Sequence, residues 1–377
     1  MKKMKLFARL IFVTLVTVLI LGAVTNIGVV QASTEVSGII TSDTTWTHAN
    51  SPYSLTGPMG ISEGVTLTIE PDVTVNLNSY FIQVNGTLTA RGNSTDPIYF
   101  NDGSGGTDGN GYSIAPIMFT PLSTDWDEET GTGCIIEHAV FSSTEVTIVS
   151  SPKVCDSSFT DCLLRVHTSW SGSGYIYDAS PIIANNTLDG EGRSNGIILY
   201  YSSANIMQNT IAGYEIGINI NSDTSVVQGN YITGNDVAIR INVHQGQSSP
   251  IIQNNTIIGN FDGIYLTRQF PAPISPTIRF NDIYANSNYN IYLDVIPSAI
   301  NAIYNWWGTT NTTEIGQSIH DYNDDFTLGT VTFDPSLTEP NTEITPEFPS
   351  WIFLSLLLTV TLLVVVCKRR YLNTKND

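Results

Sequence analysis

Between residues 180 and 308 apolar and polar positions alternate in short runs, and the runs recur. Ile218/Ile220, Ile239/Ile241, Ile264/Leu266 and Ile291/Leu293 are each separated by a single residue. A period of two puts each pair on one face of a strand and the residue between them on the other. The pairs sit in copies of one phrase, such as Gly196-Ile197-Ile198-Leu199, Gly217-Ile218-Asn219-Ile220 and Gly263-Ile264-Tyr265-Leu266. A second phrase begins at Asn186, Asn209, Asn230, Asn255, Asn281 and Asn305, at spacings of 23, 21, 25, 26 and 24 residues. A fixed period in this range marks a repeat architecture, in which each unit buries its apolar face only against its neighbours.

A leucine-rich repeat has a similar period but needs a helical return limb. Here the return is made of β-branched runs broken by Gly, Asn, Asp and Ser, which are strand and turn residues. Two or three short strands per turn with no room for a helix predict an all-β chain wound as a parallel β-helix. The recurring Asn suits it, because Asn tolerates a left-handed bend and stacked amides can bond from coil to coil.

The ends have different patterns. Lys2, Lys3, Lys5 and Arg9, then apolar Leu10 to Val24, then Val30-Gln31-Ala32 read as a signal peptide over 1–32. An ectodomain is expected over 33–335. Within it, 33–100 form an N-terminal cap and first coils, 101–129 an inserted Gly/Asp-rich loop, 130–308 regular coils and 309–335 a C-terminal cap. Residues 336–349 are rich in Pro, Thr and Glu and read as a linker. Residues 350–367 read as one transmembrane helix, and Lys368-Arg369-Arg370 place the 368–377 tail on the cytoplasmic side. The expected location is the outer face of the plasma membrane, with a single pass.

Charge narrows the partners. Between residues 33 and 345 there are seven Arg and Lys against 32 Asp and Glu. Nucleic acid is excluded, since it needs a basic footprint. The surplus suits an acidic solvated surface or loose divalent-cation binding.

Three stretches carry a family resemblance. Thr41-Ser42-Asp43-Thr44-Thr45-Trp46 with Gly64-Val65-Thr66-Leu67-Thr68-Ile69-Glu70-Pro71 resembles the N-terminal cap of archaeal surface right-handed parallel β-helix proteins. The Asn-x-Ile coils and Asn305-Trp306-Trp307-Gly308 resemble the same group, which is related to the β-helix proteins of nitrous oxide reductase maturation. Pro346-Glu347-Phe348-Pro349, the apolar stretch and the basic cluster are similar to the PEF-type tails processed by archaeosortases. The resemblance implies a right-handed solenoid on the cell surface. It also implies a tail that a lipid can replace.

The candidate chemistry is sparse. Copper handling needs soft or imidazole ligands gathered together. The five His are scattered, and only His138 has a neighbour of note, Asp156, one coil away. Cys134, Cys155 and Cys162 allow one disulfide, with the pairing open, or three buried small residues. Asp102 to Gly111 and Asp321 to Asp325 could each hold Ca²⁺, although neither has EF-hand spacing. Asn85, Asn93 and Asn311 open N-glycosylation triplets. Asn185 and Asn254 do too, but each directly precedes a ladder Asn. The outward column Ile198, Asn219, Arg240, Tyr265, Tyr292 offers Arg240, Tyr265 and Tyr292 for glycan contact. Glu215 and Asp236, in equivalent positions one coil apart with Asp262 offset by one, are the weak catalytic pair. Two functions follow. One is a non-enzymatic surface protein in envelope structure, adhesion or glycan binding. The other is a polysaccharide lyase or glycoside hydrolase on acidic or neutral glycans. No cofactor is expected beyond a weakly signalled Ca²⁺.

Overall fold

The computed structural model describes residues 32–342, except 104–105, 108–112, 171–174, 178, 244–245 and 270. The signal-peptide reading, apart from its last residue, and the transmembrane reading fall outside these residues. Among the described residues no helix is long and apolar enough to cross a membrane.

The chain winds as a parallel β-helix. A regular coil contributes three strands, as in Ile182–Ala184, Thr187–Asp189 and Asn195–Tyr200. Each pairs in parallel with its counterpart in the next coil: Ile183 with Ile206, Leu188 with Ile211, Ile197 with Ile218. The first strands form a ten-stranded parallel sheet from Thr44–Trp46 to Thr277–Arg279, and the others join a 21-stranded sheet. Every inward residue therefore stacks on its equivalent. The columns Ile183/Ile206/Val227/Ile252/Ile278 and Leu188/Ile211/Ile232/Ile257/Ile283 are wholly buried, as are the paired Ile and Leu of the third strands.

Coils need a way to turn the corner without stranding backbone groups. At the first corner each buried Asn solves this for the next. Asn209 donates both its backbone N–H and its Nδ2 to Asn230 Oδ1, at 2.9 and 3.0 Å. Asn230 repeats the pattern onto Asn255, and the chain of amides runs from Asn186 to Asn305. Ser157 extends it by one coil, its N–H donating to Asn186 and its hydroxyl accepting from the Ala139 N–H. A second, shorter ladder at the next corner joins Asn235, Asn260 and Asn286. The sequence reading did not find this one.

Toward the N-terminus the interior changes. Phe100, Phe141 and Phe159 occupy the Leu188 column and stack at 4.6 and 4.7 Å. Within the 101–129 stretch, Ile117–Phe119 forms a full rung between Ile82–Val84 and Val146–Ile148. Its Ile-Met-Phe alternation buries two side chains inside the rod. At the far end a six-residue helix, Thr312–Gln317, is capped by Asn311 and buries Ile315 over the last coil. Ile319–His320 then pairs with Ile291–Leu293, and Val331–Thr332 with Ile300–Asn301.

Residues 336–342, the start of the Pro/Thr/Glu stretch, lie against the rod. The Leu337 N–H donates to the Asn305 carbonyl, and Asn341 bonds Asp282, Asn254 and Phe280. The chain thus runs back along the coils it has just left.

Candidate functional site

The third strands place one residue per coil outward in register: Ile198, Asn219, Arg240, Tyr265, Tyr292, and finally His320. Ile198 faces outward but is only 5% exposed, while the others are half-buried. Coil stacking brings their side chains to the spacing of strands, about 4.8 Å. The Arg240 guanidinium lies 5.9 Å from the Tyr265 ring centroid. Tyr265 stacks on Tyr292 at 5.0 Å and Tyr292 on His320 at 4.3 Å, with planes within 5° and 9° of parallel. Tyr289 closes the far end, meeting His320 edge-on at 5.3 Å.

This geometry decides how the column can meet a ligand. Ring faces that cover one another are not available to an apolar sugar face. What points outward is a row of ring edges and polar atoms. His320 Nδ1 sits 3.2 Å from the Leu293 carbonyl, which can only accept, so Nδ1 carries the proton and Nε2 is left to bond outward.

Two carboxylates frame the row. Asp294 accepts from the Tyr265 hydroxyl at 2.9 Å and from Thr267 at 3.0 Å. Asp262 accepts from Asn288 Nδ2 and the Tyr289 N–H. Burial, followed by the Asp294 carboxylate, pushes the Tyr265 phenol up, and burial and the same acid raise Tyr292, so both remain donors at neutral pH. Burial also raises Asp262, against the opposing pull of its two donors and of His320. Arg240 forms no ion pair among the described residues, and its buried Nε has no hydrogen-bond partner there. A cation left without a carboxylate on so acidic a chain is available to a ligand.

The other sequence candidates are placed as follows. Glu215 and Asp236 are exposed and one coil apart, as their backbone bonds show. They stand four residues before the column, roughly 13 Å along the strand, so the fold does not set them beside Arg240. Asn85 is half-buried, and its Oδ1 accepts from Gln83 and Thr120. Asn93 closes a turn by accepting from Thr95 and Asp96, and Asn311 caps the short helix. Asp321 spends its oxygens on Asn323 and the Val331 N–H, and Asp325 on Thr327, so these loop acids tie down their own backbone.

The three cysteines are buried and unpaired. Burial pushes the Cys134 and Cys162 thiols up to about 12 and about 11. Donor atoms of Glu137, Cys155 and Asp156 lie within 4.8 Å of one another, and His138 is not among them. Arg91 already pairs with Glu137 at 3.3 Å, and burial holds the Cys155 thiol protonated. That group is a poor metal site.

Sequence reasoning named Arg240, Tyr265 and Tyr292, with Asp262 among the acids near them, but missed His320, Tyr289 and Asp294. His320 was hidden because the helix 312–317 interrupts the period before it. Asp294 was hidden because Asp is everywhere in this chain.

The fold defines a right-handed parallel β-helix. The family model described as the right handed beta helix region matches residues 175–305. No curated protein matches the sequence. Among solved structures the chain is similar to the periplasmic alginate epimerase AlgG, at 14% identity over 75% of each chain with a TM-score of 0.44. Two point variants of that epimerase align over the same share with scores of 0.41 and 0.40.

Proposed function

We propose that this protein is a non-enzymatic cell-surface rod that contacts glycans along the Arg240–His320 column. The carrying observation is the continuous stack Arg240, Tyr265, Tyr292, His320. It offers one hydrogen-bonding edge per coil, at about the length of one sugar unit. A strand running along the rod axis meets a fresh donor or acceptor at each unit. Stacking and burial hold the rings in place before binding, which lowers the ordering cost. Surface exposure is supported by the leader-like start, the apolar 350–367 stretch with its basic flank, and the acidic exterior. Anchoring through that stretch, or through a lipid after archaeosortase-type cleavage, belongs to the same reading.

A second reading, a surface polysaccharide lyase or glycoside hydrolase, is favoured by one observation. Asp262 is a nearly buried carboxyl with a raised pKa beside His320, the environment of a general acid.

A glycan array with the full-length protein, followed by reducing-sugar and unsaturated-product assays on the glycans it retains, separates the two. Binding without turnover, weakened at least tenfold by Tyr292→Ala, is the expected result. Turnover abolished by Asp262→Asn would overturn the non-enzymatic reading. Retention unaffected by Tyr292→Ala and Arg240→Ala together would remove the column from it.

A further inference from the structure

Large apolar side chains are unevenly exposed along the rod. Among the described residues none is exposed between Leu122 and Phe261, and the most exposed of all is Phe326, at 80%. With Val295 at 55%, Tyr322 at 44% and Tyr304 at 42%, it belongs to the last turn of the solenoid. Tyr322 and Phe326 meet edge to face at 5.4 Å. The backbone around them is tied down. The Tyr322 N–H donates to the Gly329 carbonyl, and the Gly329 N–H to the Ile296 carbonyl next to Val295. Asp325 accepts from the N–H and hydroxyl of Thr327. A fixed loop thus holds two rings in water at one end of the molecule, and apolar surface gathered in one place marks a contact.

Chain length says what lies opposite that end. The returning segment 336–342 has its last fastening at Asn341, on Phe280 and Asp282. From Thr342 to Ser350, where the apolar stretch begins, there are eight peptide steps, which span at most about 29 Å. The first strands form a ten-stranded sheet from Thr44–Trp46 to Thr277–Arg279. The N-terminal end of the rod is therefore nine strand spacings, about 43 Å, from the coil that holds Phe280. Those eight steps cannot reach a bilayer placed at the N-terminal end. They do reach one placed at the C-terminal end, which lies only about two coils, ~10 Å, beyond the fastening.

We propose that the rod stands end-on, with the 321–328 loop and Val295 set into the headgroup layer of an electrically neutral lipid bilayer. This rests on the reading above that residues 350–367 anchor the chain. Aromatic rings suit the headgroup boundary, where one side is apolar and the other wet, and the Tyr322 hydroxyl can stay in water there. The charges around the rings choose the lipid. Asp324 and Asp325 directly precede Phe326, and the 321–328 loop holds no Arg or Lys. Hydrogen bonds from Thr327 keep the Asp325 carboxyl below its ordinary pKa, so it is charged at neutral pH. Such a loop is repelled by an anionic surface. It attracts the outermost group of a choline lipid, a quaternary ammonium, to which the ring faces add cation–π attraction.

The test uses the full-length protein in phosphatidylcholine vesicles, and flotation with the vesicles reads the anchor. A nitroxide on Asn323→Cys, in a Cys367→Ser chain, reads the contact, since Cys134, Cys155 and Cys162 are buried. A nitroxide on Leu122→Cys, exposed far up the rod, is the aqueous reference. Collision with a neutral nickel chelate should be at least threefold slower at residue 323 than at residue 122. Phe326→Asp alters a side chain that stands in water, so flotation and melting temperature should hold while the two collision rates become equal. Phosphatidylglycerol vesicles should equalise them too. Protein that floats with equal rates at both labels in phosphatidylcholine defeats the end-on contact and leaves the anchor standing. Protein that does not float removes the anchor, and this inference with it. Shielding at residue 323 that survives Phe326→Asp would take the rings out of the contact, and shielding as strong in phosphatidylglycerol would overturn the choice of a neutral surface.

Discussion

The coils around Phe141 and those around Asn230 solve one problem in two ways. Both must fill the same interior column and turn the same corner. Near Phe141, three rings stack down the axis and the corner carries Ala139 or Ser157 in place of Asn. Near Asn230, the column is aliphatic and the corner is a run of amides, each satisfied by the next. Stacked rings attract without strong direction, so a small shift of one coil costs them little. The amides are directional and buried, and a slip of one residue would strand several donors at once. The ladder therefore fixes register where the side chains are uniform Ile and Leu, which by themselves would pack in more than one register. The ring stack can do without it, because bulky Phe is itself a landmark.

The sharpest way to break this contrast is Asn230→Ala. It leaves the Asn209 N–H and one of its two Nδ2 protons without an acceptor, the other still reaching the Ile183 carbonyl, and removes a donor from the Ile206 and Gln228 carbonyls. At ~1–3 kcal/mol for each buried group left unpaired, the loss should be about 5 kcal/mol. Urea unfolding followed by circular dichroism reads it directly. Asn230→Ser should recover more than half, since Ser157 shows that a hydroxyl can take the acceptor role at this corner. A loss below about 2 kcal/mol for the Ala variant would mean the ladder accompanies register rather than setting it.

Phe141→Leu probes the other region. It replaces the middle ring of the stack with the residue that the same column carries at Leu188. The cost is lost contact and a small cavity, about 1–2 kcal/mol, with the coils still in register. Equal losses from Phe141→Leu and Asn230→Ala would erase the distinction.

The regular half of the rod was legible in the sequence because its period was printed in Asn and Ile. The corner Asn, the inward pairs and the outward column followed from spacing alone, down to Asn219, Arg240, Tyr265 and Tyr292. Legibility failed wherever a partner came from outside the period. The rung Ile117–Phe119 sat in a Gly-rich stretch that masked its alternation. His320 joined the column only after a helix that the six residues Thr312–Gln317 did not announce. The docking of 336–342 depends on Asn341 finding Asp282, 59 positions earlier. No local pattern encodes such a contact. The stacking angle was also beyond reach: one aromatic per coil is readable, but whether its face or its edge meets solvent is set by packing.

The smallest effect concerns the one kind of buried polar group the ladder avoids, a charge. Asp223 is 1% exposed and accepts from the Ser202 N–H and hydroxyl and from the Ser225 N–H, with no cation beside it among the described residues. Burial raises its pKa above the ordinary 3.8, against the pull of those donors. The folded state thus holds the proton more tightly than the unfolded chain. Its contribution to stability is full below about pH 3.8, declines as pH rises from there to the folded pKa, and is constant above it. Each tenfold difference in proton affinity corresponds to about 1.4 kcal/mol. Asp223→Asn cannot ionise, so the gap in stability between wild type and variant should be widest in acid and shrink toward neutral pH. Comparing the two chains cancels the other carboxylates, including Asp262 and Asp282, whose pKa values burial also raises. Asn230→Asp places an ionisable group in the ladder itself and should acquire the same slope, whereas Asn230→Ser should show none. A gap that widened with pH for Asp223→Asn would mean its three donors outweigh burial, and that a charge is as well kept in this interior as an amide.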